Sequence, residues 1–268
     1  MSDPISVKDK LAELESSSGG RIGLSATNLE TKKRIQYRAG ERFPFCSTFK
    51  TIVAAAILKK SITDGHLLDK QVIYTLKDLK KSGWSPITEM HLAKGMSISE
   101  LCAATLQHSD NTAANLLISE LGGLEAVNTF ARSIGDDIFR LDRWEPELNE
   151  ALPGDLRDTT TPAAMEMSLQ KLLIGEALPQ PQREQFTRWL IGNTTGNARI
   201  RSGVPEGWVV GDKTGSGYYG TTNDVGIIWP KKGAPIIVAI YFTQKSKDAK
   251  SRNDVISAVT RILVDELR

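Results

Sequence analysis

The chain has 268 residues, 40% hydrophobic and 25% charged, with 34 basic against 32 acidic side chains and a net charge of +2. That length suits one large domain or two closely joined lobes; the balanced charge gives no basic excess for nucleic acid, and no apolar run is long enough to span a bilayer. Two cysteines, Cys46 and Cys102, are too few for a disulfide framework, and His66, His91 and His108 are scattered without ligand spacing, so neither a metal nor a cofactor is expected.

Met1-Ser2-Asp3-Pro4 leads into a polar helix pattern without a secretory signal, which suits either a cytosolic protein or a mature form with an added start methionine. Residues 5–18 predict a surface helix with Val7, Leu11 and Leu14 on one side and Gly19-Gly20 as the stop. Residues 21–29 and 34–38 read as a β-hairpin around Glu30-Thr31-Lys32-Lys33. Next comes Cys46-Ser47-Thr48-Phe49-Lys50, followed by a run over 51–58 that is apolar on nearly every side. A helix with so little polar surface belongs inside a protein.

From about 60 to 190 the signals are nearly all helical. Ser97-Ile98-Ser99-Glu100 has the form of a capping box, opening a helix through Leu106. Helices follow over 112–121, 124–134, 161–174 and 182–191, each ended by glycine, and Thr161-Pro162 supplies a cap and a first-turn proline. Residues 140–160 lack periodicity; a loop of that length in a compact protein is usually functional or packed on itself. Strands return over 208–215, 223–229 and 236–243, and 248–267 is a closing amphipathic helix. The pattern predicts an α/β two-lobed fold. Terminal helices flank a five-stranded antiparallel sheet, and an all-helical lobe is inserted; the lobes are 1–40 with 191–268, and 41–190. A cleft between them is the default place for a site.

Candidate chemistry is spread along this order. Ser47 and Lys50 stand one helical turn apart on one face, at a helix start with free backbone N–H groups. A serine is a weak nucleophile until a neighbour takes its proton, and burial favours the neutral, proton-accepting form of a lysine. Taken alone, Ser47 reads first as a helix cap, because the S-x-x-K spacing is common. Ser109-Asp110-Asn111 sits at a junction between helices: a cap, or a proton-carrying hydroxyl with an amide that holds a substrate carbonyl or Lys50. Glu145 and Asn149, in the loop, suit a general base and its partner around a water, and Arg143 with Asp158 suits a closing ion pair. Lys213, Thr214, Gly215 and Ser216 end an apolar strand with a cation, two hydroxyls and a backbone open to close approach.

In this order S-x-x-K, S-D-N, E-x-x-L-N and K-T-G form a highly specific set, and the chain resembles a class A serine β-lactamase over nearly its whole length. Asp158-Thr159-Thr160-Thr161-Pro162 and Gly192-Asn193-Thr194-Thr195-Gly196 also read like that family. The resemblance implies the fold called serine β-lactamase/D,D-peptidase-like. It implies hydrolysis of penicillins and cephalosporins through an acyl-enzyme, and hence antibiotic resistance. Ser47 would be acylated. Lys50 would assist it, with either Lys50 or Glu145 through water as the base. Glu145 and Asn149 would hold the deacylating water, and Ser109 would relay a proton to the β-lactam nitrogen. Asn111 would meet the substrate's side-chain amide. Lys213, Thr214 and Ser216 would meet its carboxylate, with Gly215 between them, Arg199 behind and Thr195 nearby. The backbone N–H groups of Ser47 and Ser216 would form the oxyanion hole, and Trp84 would wall the cleft mouth. The Glu145-Pro146 bond resembles the family's cis peptide.

The chain departs from many members where Ala54 stands in place of a partner for Cys102, and where Gly217 removes a bridge to Cys46; carbapenem hydrolysis is therefore not expected. The rival readings are a penicillin-binding D,D-peptidase and a β-lactam sensor, both acylated at Ser47 but slow to deacylate. Glu145 and Asn149 argue against them. A monomer that needs only its small-molecule substrate and a water, in a periplasmic or secreted setting, is the remaining expectation.

Overall fold

The computed structural model describes residues 5–267; Met1-Ser2-Asp3-Pro4 and residue 268 lie outside the described residues, including where the expected lobe limits fall on them. Helix α1, Val7–Ser18, is capped by Ser6, whose hydroxyl accepts the Asp9 N–H, and ends at Gly19, with φ 69°. Leu11 is buried on its inner side, with Val7 and Leu14 against the same core. Strands β1, Gly20–Asn28, and β2, Arg34–Tyr37, form the expected hairpin, with Leu24 opposite Tyr37. After β3, Phe43–Pro44, the chain makes a tight 3-10 turn, Cys46–Phe49, that runs into α2, Lys50–Lys60. Every residue from Lys50 to Leu58 is buried, as an all-round apolar helix requires. Ser47 therefore lies in the 3-10 turn rather than in the α-helix itself, and its side chain caps no helix.

Strand β4, Gln71–Val72, α3, Leu76–Ser82, and β5, Met96–Ser97, lead to α4, Ile98–Gln107, which opens with the expected capping box between Ser97 and Glu100. Helices α5, Asn111–Leu121, and α6, Leu124–Ser133, follow, with Gly122 left-handed at φ 103° between them. After β6, Thr159–Thr160, come α7, Pro162–Leu173, capped by Thr161, then α8, Gln180–Ile191, and the short α9, Ile200–Gly203. The β4–β5 and β3–β6 pairs lie outside the sequence reading, because two-residue strands carry no period. The second of them matters: Phe43 opposite Thr160 ties the approach to Ser47 to the end of the long loop.

Strands β7, Val209–Gly217, β8, Thr221–Trp229, and β9, Ile236–Gln244, and helix α10, Asn253–Leu267, complete the chain. The sheet order is β2-β1-β9-β8-β7; its five strands and their antiparallel pairing are those expected from sequence. Strand β9 is apolar from Ile236 to Phe242 because both its faces are covered there. Ile237, Ala239 and Tyr241 join a core shared with α2, α4, α5 and α7, while Ile236, Val238, Ile240 and Phe242 join a second core under α1 and α10. The two-lobed fold expected from the element order is the one the chain adopts.

Candidate active site

The site is assembled where the 3-10 turn lies flush on β7. A Cβ on Gly215 would stand 2.7 Å from the Phe45 carbonyl oxygen and 3.2 Å from the Ser47 nitrogen, so this contact requires glycine. From the next strand, the Asn223 amide donates to the Pro44 and Phe45 carbonyls at 2.8 and 3.1 Å and holds the turn in place. The Ser47 N–H is thereby carried to the end of β7, beside Ser216.

Ser47 Oγ donates to Glu145 Oε1 at 3.3 Å. The same oxygen lies 3.0 Å from Lys50 Nζ, and both side chains are fully buried. Lys50 also donates to the Ser109 carbonyl at 2.8 Å and to Asn111 Oδ1 at 2.7 Å. With the Ser109 hydroxyl at 3.5 Å, four acceptors surround this amine. Burial lowers the Lys50 pKa from its usual value, and the Glu145 carboxylate opposes that shift. Of the two uses read for Asn111, its carbonyl oxygen serves Lys50, while Nδ2 donates to the Ser82 carbonyl at 3.0 Å. Asn149 Nδ2 donates to Glu145 Oε2 at 2.5 Å. The remaining amide oxygen of Asn149 is buried and has no hydrogen-bond partner among the described residues.

Ser109 stands between the two lysines at a left-handed φ of 57°. Its hydroxyl accepts from Lys213 at 3.0 Å and from Lys50 at 3.5 Å. Lys213 is fully buried too, and its other acceptor is the Thr214 carbonyl at 2.8 Å. Burial and then the Lys50 charge push its pKa well below the usual lysine value. Beyond it Arg199 donates to the Gly215 and Asn223 carbonyls at 2.9 and 2.7 Å and to Ser216 Oγ at 2.7 Å. Thr195 and Thr214 share a hydrogen bond of 2.5 Å. Behind this wall Asp212 accepts from Arg201 and Asn193, and Asp224 accepts the Ile200 N–H. Burial and the neighbouring Asp212 carboxylate raise the Asp224 carboxyl well above its usual value.

Three cations, five hydroxyls and the Glu145 carboxylate thus converge between the lobes; of the residues singled out from sequence, Trp84 reaches this network only through its backbone carbonyl, and Arg143 and Asp158 lie outside it. Trp84 is 64% exposed, so it is no core tryptophan; its carbonyl accepts the Asn111 N–H at 2.8 Å and its indole donates to the His108 carbonyl. The long loop is closed at its base. Arg140 and Thr159 pair as a β-bridge, and Arg143 Nε donates to the buried Asp158 at 2.6 Å. The Glu145-Pro146 bond is cis. Cys46 and Cys102 are both free and buried, and a Cβ on Gly217 would come 2.7 Å from Cys46 Sγ.

One contributor escaped the sequence reading. Asn115 accepts the Glu145 N–H at 3.1 Å and donates to the Glu145 carbonyl at 3.0 Å, clamping both sides of that residue's backbone. It stands four residues after Asn111 on α5, hence on the same helix face, which was the available signal.

The chain belongs to the beta-lactamase enzyme family, whose model matches residues 6–267. It is 54% identical to a beta-lactamase of Citrobacter koseri over 265 residues, which cover 99% of this chain and 90% of that one. It is 53% identical over 258 residues to beta-lactamase CTX-M-97 of Escherichia coli, covering 96% and 88%. The crystal structure of a beta-lactamase from Desulfarculus baarsii superposes with a TM-score of 0.95 at 52% identity over 97% of each chain. The resemblance drawn from the motifs is therefore borne out. Among the described residues no helix is long and apolar enough to cross a membrane.

Proposed function

We propose that the protein hydrolyses the β-lactam ring of penicillins and cephalosporins through an acyl-enzyme on Ser47, and so confers antibiotic resistance. Ser47 Oγ attacks the lactam carbonyl while Glu145, its hydrogen-bond acceptor, takes the proton. Glu145 is favoured over Lys50 as that base because Ser47 Oγ donates directly to Glu145, whereas the Lys50 amine is turned to Glu145, Ser109 and Asn111. The negative oxygen that develops is met by the N–H groups of Ser47 and Ser216, donors that contribute about 3 kcal/mol each. The C–N bond breaks as the nitrogen takes the Ser109 hydroxyl proton, Ser109 takes one from Lys50, and Glu145 passes the proton it gained to Lys50, which restores all three groups. Lys213, Thr214 and Ser216 hold the substrate carboxylate, with Arg199 and Thr195 supporting them; Asn111 and Trp84 bound the substrate's side chain.

The observation that carries hydrolysis, rather than slow-releasing acylation, is the unpartnered Asn149 Oδ1 beside Glu145. A buried acceptor without a donor is costly. A water donating to Asn149 and to Glu145 would relieve it and stand ready to attack the acyl-enzyme. The D,D-peptidase and sensor readings offer no use for that pair.

The same reading makes the protein a monomer that acts in the periplasm or outside the cell, where β-lactams meet their targets, with lobe limits near residues 40 and 190. Intact-protein mass spectrometry with excess chromogenic cephalosporin tests the hydrolase. Many turnovers with little final adduct are expected; one equivalent consumed, with a lasting adduct on Ser47, would replace it with a sensor or D,D-peptidase.

A further inference from the structure

A cavity of about 620 Å³ lies away from Ser47, between the second half of the long loop, the start of β1 and the end of β9. Its volume falls within the ordinary range for small-molecule sites. Pro44, Leu152 and Leu156 give it apolar walls, and Arg21, Arg42 and Lys245 bring three cations to it. Two carboxylates also line it, but both are committed to arginines. Glu41 binds Arg21 at 2.8 Å and Arg38 at 2.9 Å, and Asp155 binds Arg157 at 2.7 Å. Arg42 donates to the Ile138 carbonyl and the Thr159 hydroxyl and has no carboxylate partner among the described residues. Lys245 is exposed and has no side-chain hydrogen bond or ion pair among the described residues. The cavity therefore combines an apolar body with uncompensated positive charge.

We propose that this cavity binds a monoanionic amphiphile, a carboxylate or sulfonate on a compact apolar body, and that its occupancy is felt at the catalytic loop. Two covalent routes and one hydrogen-bonded route lead from its walls to the cleft. Ala151, left-handed at φ 51°, is two residues after Asn149. Pro44 is three residues before Ser47. Gln244 accommodates the turn after β7, its N–H donating to the Tyr219 carbonyl at 2.7 Å, while the adjacent Tyr218 N–H donates to the Asn149 carbonyl at 3.1 Å. A ligand seated here packs against the loop segment that follows the Glu145–Asn149 pair. Binding stands on the cavity alone; the effect on turnover rests on the hydrolase reading above.

The test is a fluorescence titration of the whole protein with 8-anilinonaphthalene-1-sulfonate, followed by competition with dodecanoate and with dodecyltrimethylammonium below micelle formation. Binding of one probe per chain, displaced by dodecanoate and not by the cation, is expected. Lys245→Glu should weaken it roughly tenfold, as loss of about one ion contact does, and Leu152→Trp should abolish it by filling the space. Both variants are checked for a native melting curve. No saturable binding up to about 1 mM, a range in which even weak sites register, or equal binding in both variants, overturns the site. In steady-state hydrolysis dodecanoate should change kcat more than KM. A purely competitive effect would mean that the anion enters the cleft, and an unchanged kcat at saturation would sink the coupling while leaving the site.

Discussion

Lys50 and Lys213 are both fully buried and both have a pKa lowered by burial, yet they are furnished in opposite ways. Lys50 has a carboxylate at 3.0 Å and two further acceptors. Lys213 has no carboxylate in ion-pair contact, only a hydroxyl and its neighbour's carbonyl. A buried charge next to a counter-charge can pass protons; a buried charge left without one is an anion site awaiting its ligand. In the proposed mechanism the helical side of the cleft would carry the proton chemistry and the sheet side the recognition of the substrate carboxylate.

Breaking the proton side should have the larger effect. Ser47→Ala removes the attacking oxygen; kcat should fall by about a million-fold, as for other serine hydrolases, and no covalent adduct should form by intact mass. An adduct elsewhere would sink the assignment. Glu145→Ala should slow deacylation by roughly a thousand-fold, within the range of general-base catalysis, so that the acyl-enzyme accumulates and can be weighed. Rapid release from that variant would remove Glu145 from its role.

The recognition side should respond through affinity. Lys213→Ala removes a charge-assisted contact, and kcat/KM for a carboxylate-bearing cephalosporin should drop roughly tenfold to a hundredfold. A substrate ester without the free carboxylate should lose far less, and equal losses on both would contradict the assignment. Lys213→Met sharpens the contrast through stability. The folded-state pKa of Lys213 is depressed, so above it and up to about pH 10.4, the unperturbed lysine value, the unfolded chain binds more protons than the folded one. Stability therefore rises with pH across that window, and the burial cost is greatest below it. Lys213→Met should melt higher than the parent at neutral pH, by about 1–4 kcal/mol as for other buried charges replaced by apolar groups. The gain should vanish at alkaline pH; a constant gain would mean packing, not charge, is responsible. Smallest should be the effect of Arg143→Ala at the loop base, a few-fold loss in kcat with faster amide exchange across 143–158, in line with release of a local unit.

The five-strand sheet was legible because its strands are long, apolar and bounded by turn residues, and most limits in the structure lie within two residues of those read. The cleft was legible because its residues form motifs in a fixed order. What was hidden has a common cause. The β3–β6 pair and the third acceptor of Lys50 exist only when distant segments meet, and no local period announces such contacts. Asp110 is the clearest case. It reads as a helix cap and is one, accepting the Ala113 N–H, but the same carboxylate also accepts from Thr88 and from the Ile87 N–H, fixing the segment that carries Trp84. Sequence gave its local duty and concealed its tertiary one.

Strand β9 has alternate residues in two separate cores. A seam of this kind leaves neither half a complete interior without the other, because removing the strand would strip both at once. The molecule should consequently lose its order in a single cooperative step on heating, with the amides of β9 the last to exchange with solvent. Damage to either core is then felt across the cleft, so substitutions far from Ser47 reach the catalytic groups by way of shared stability.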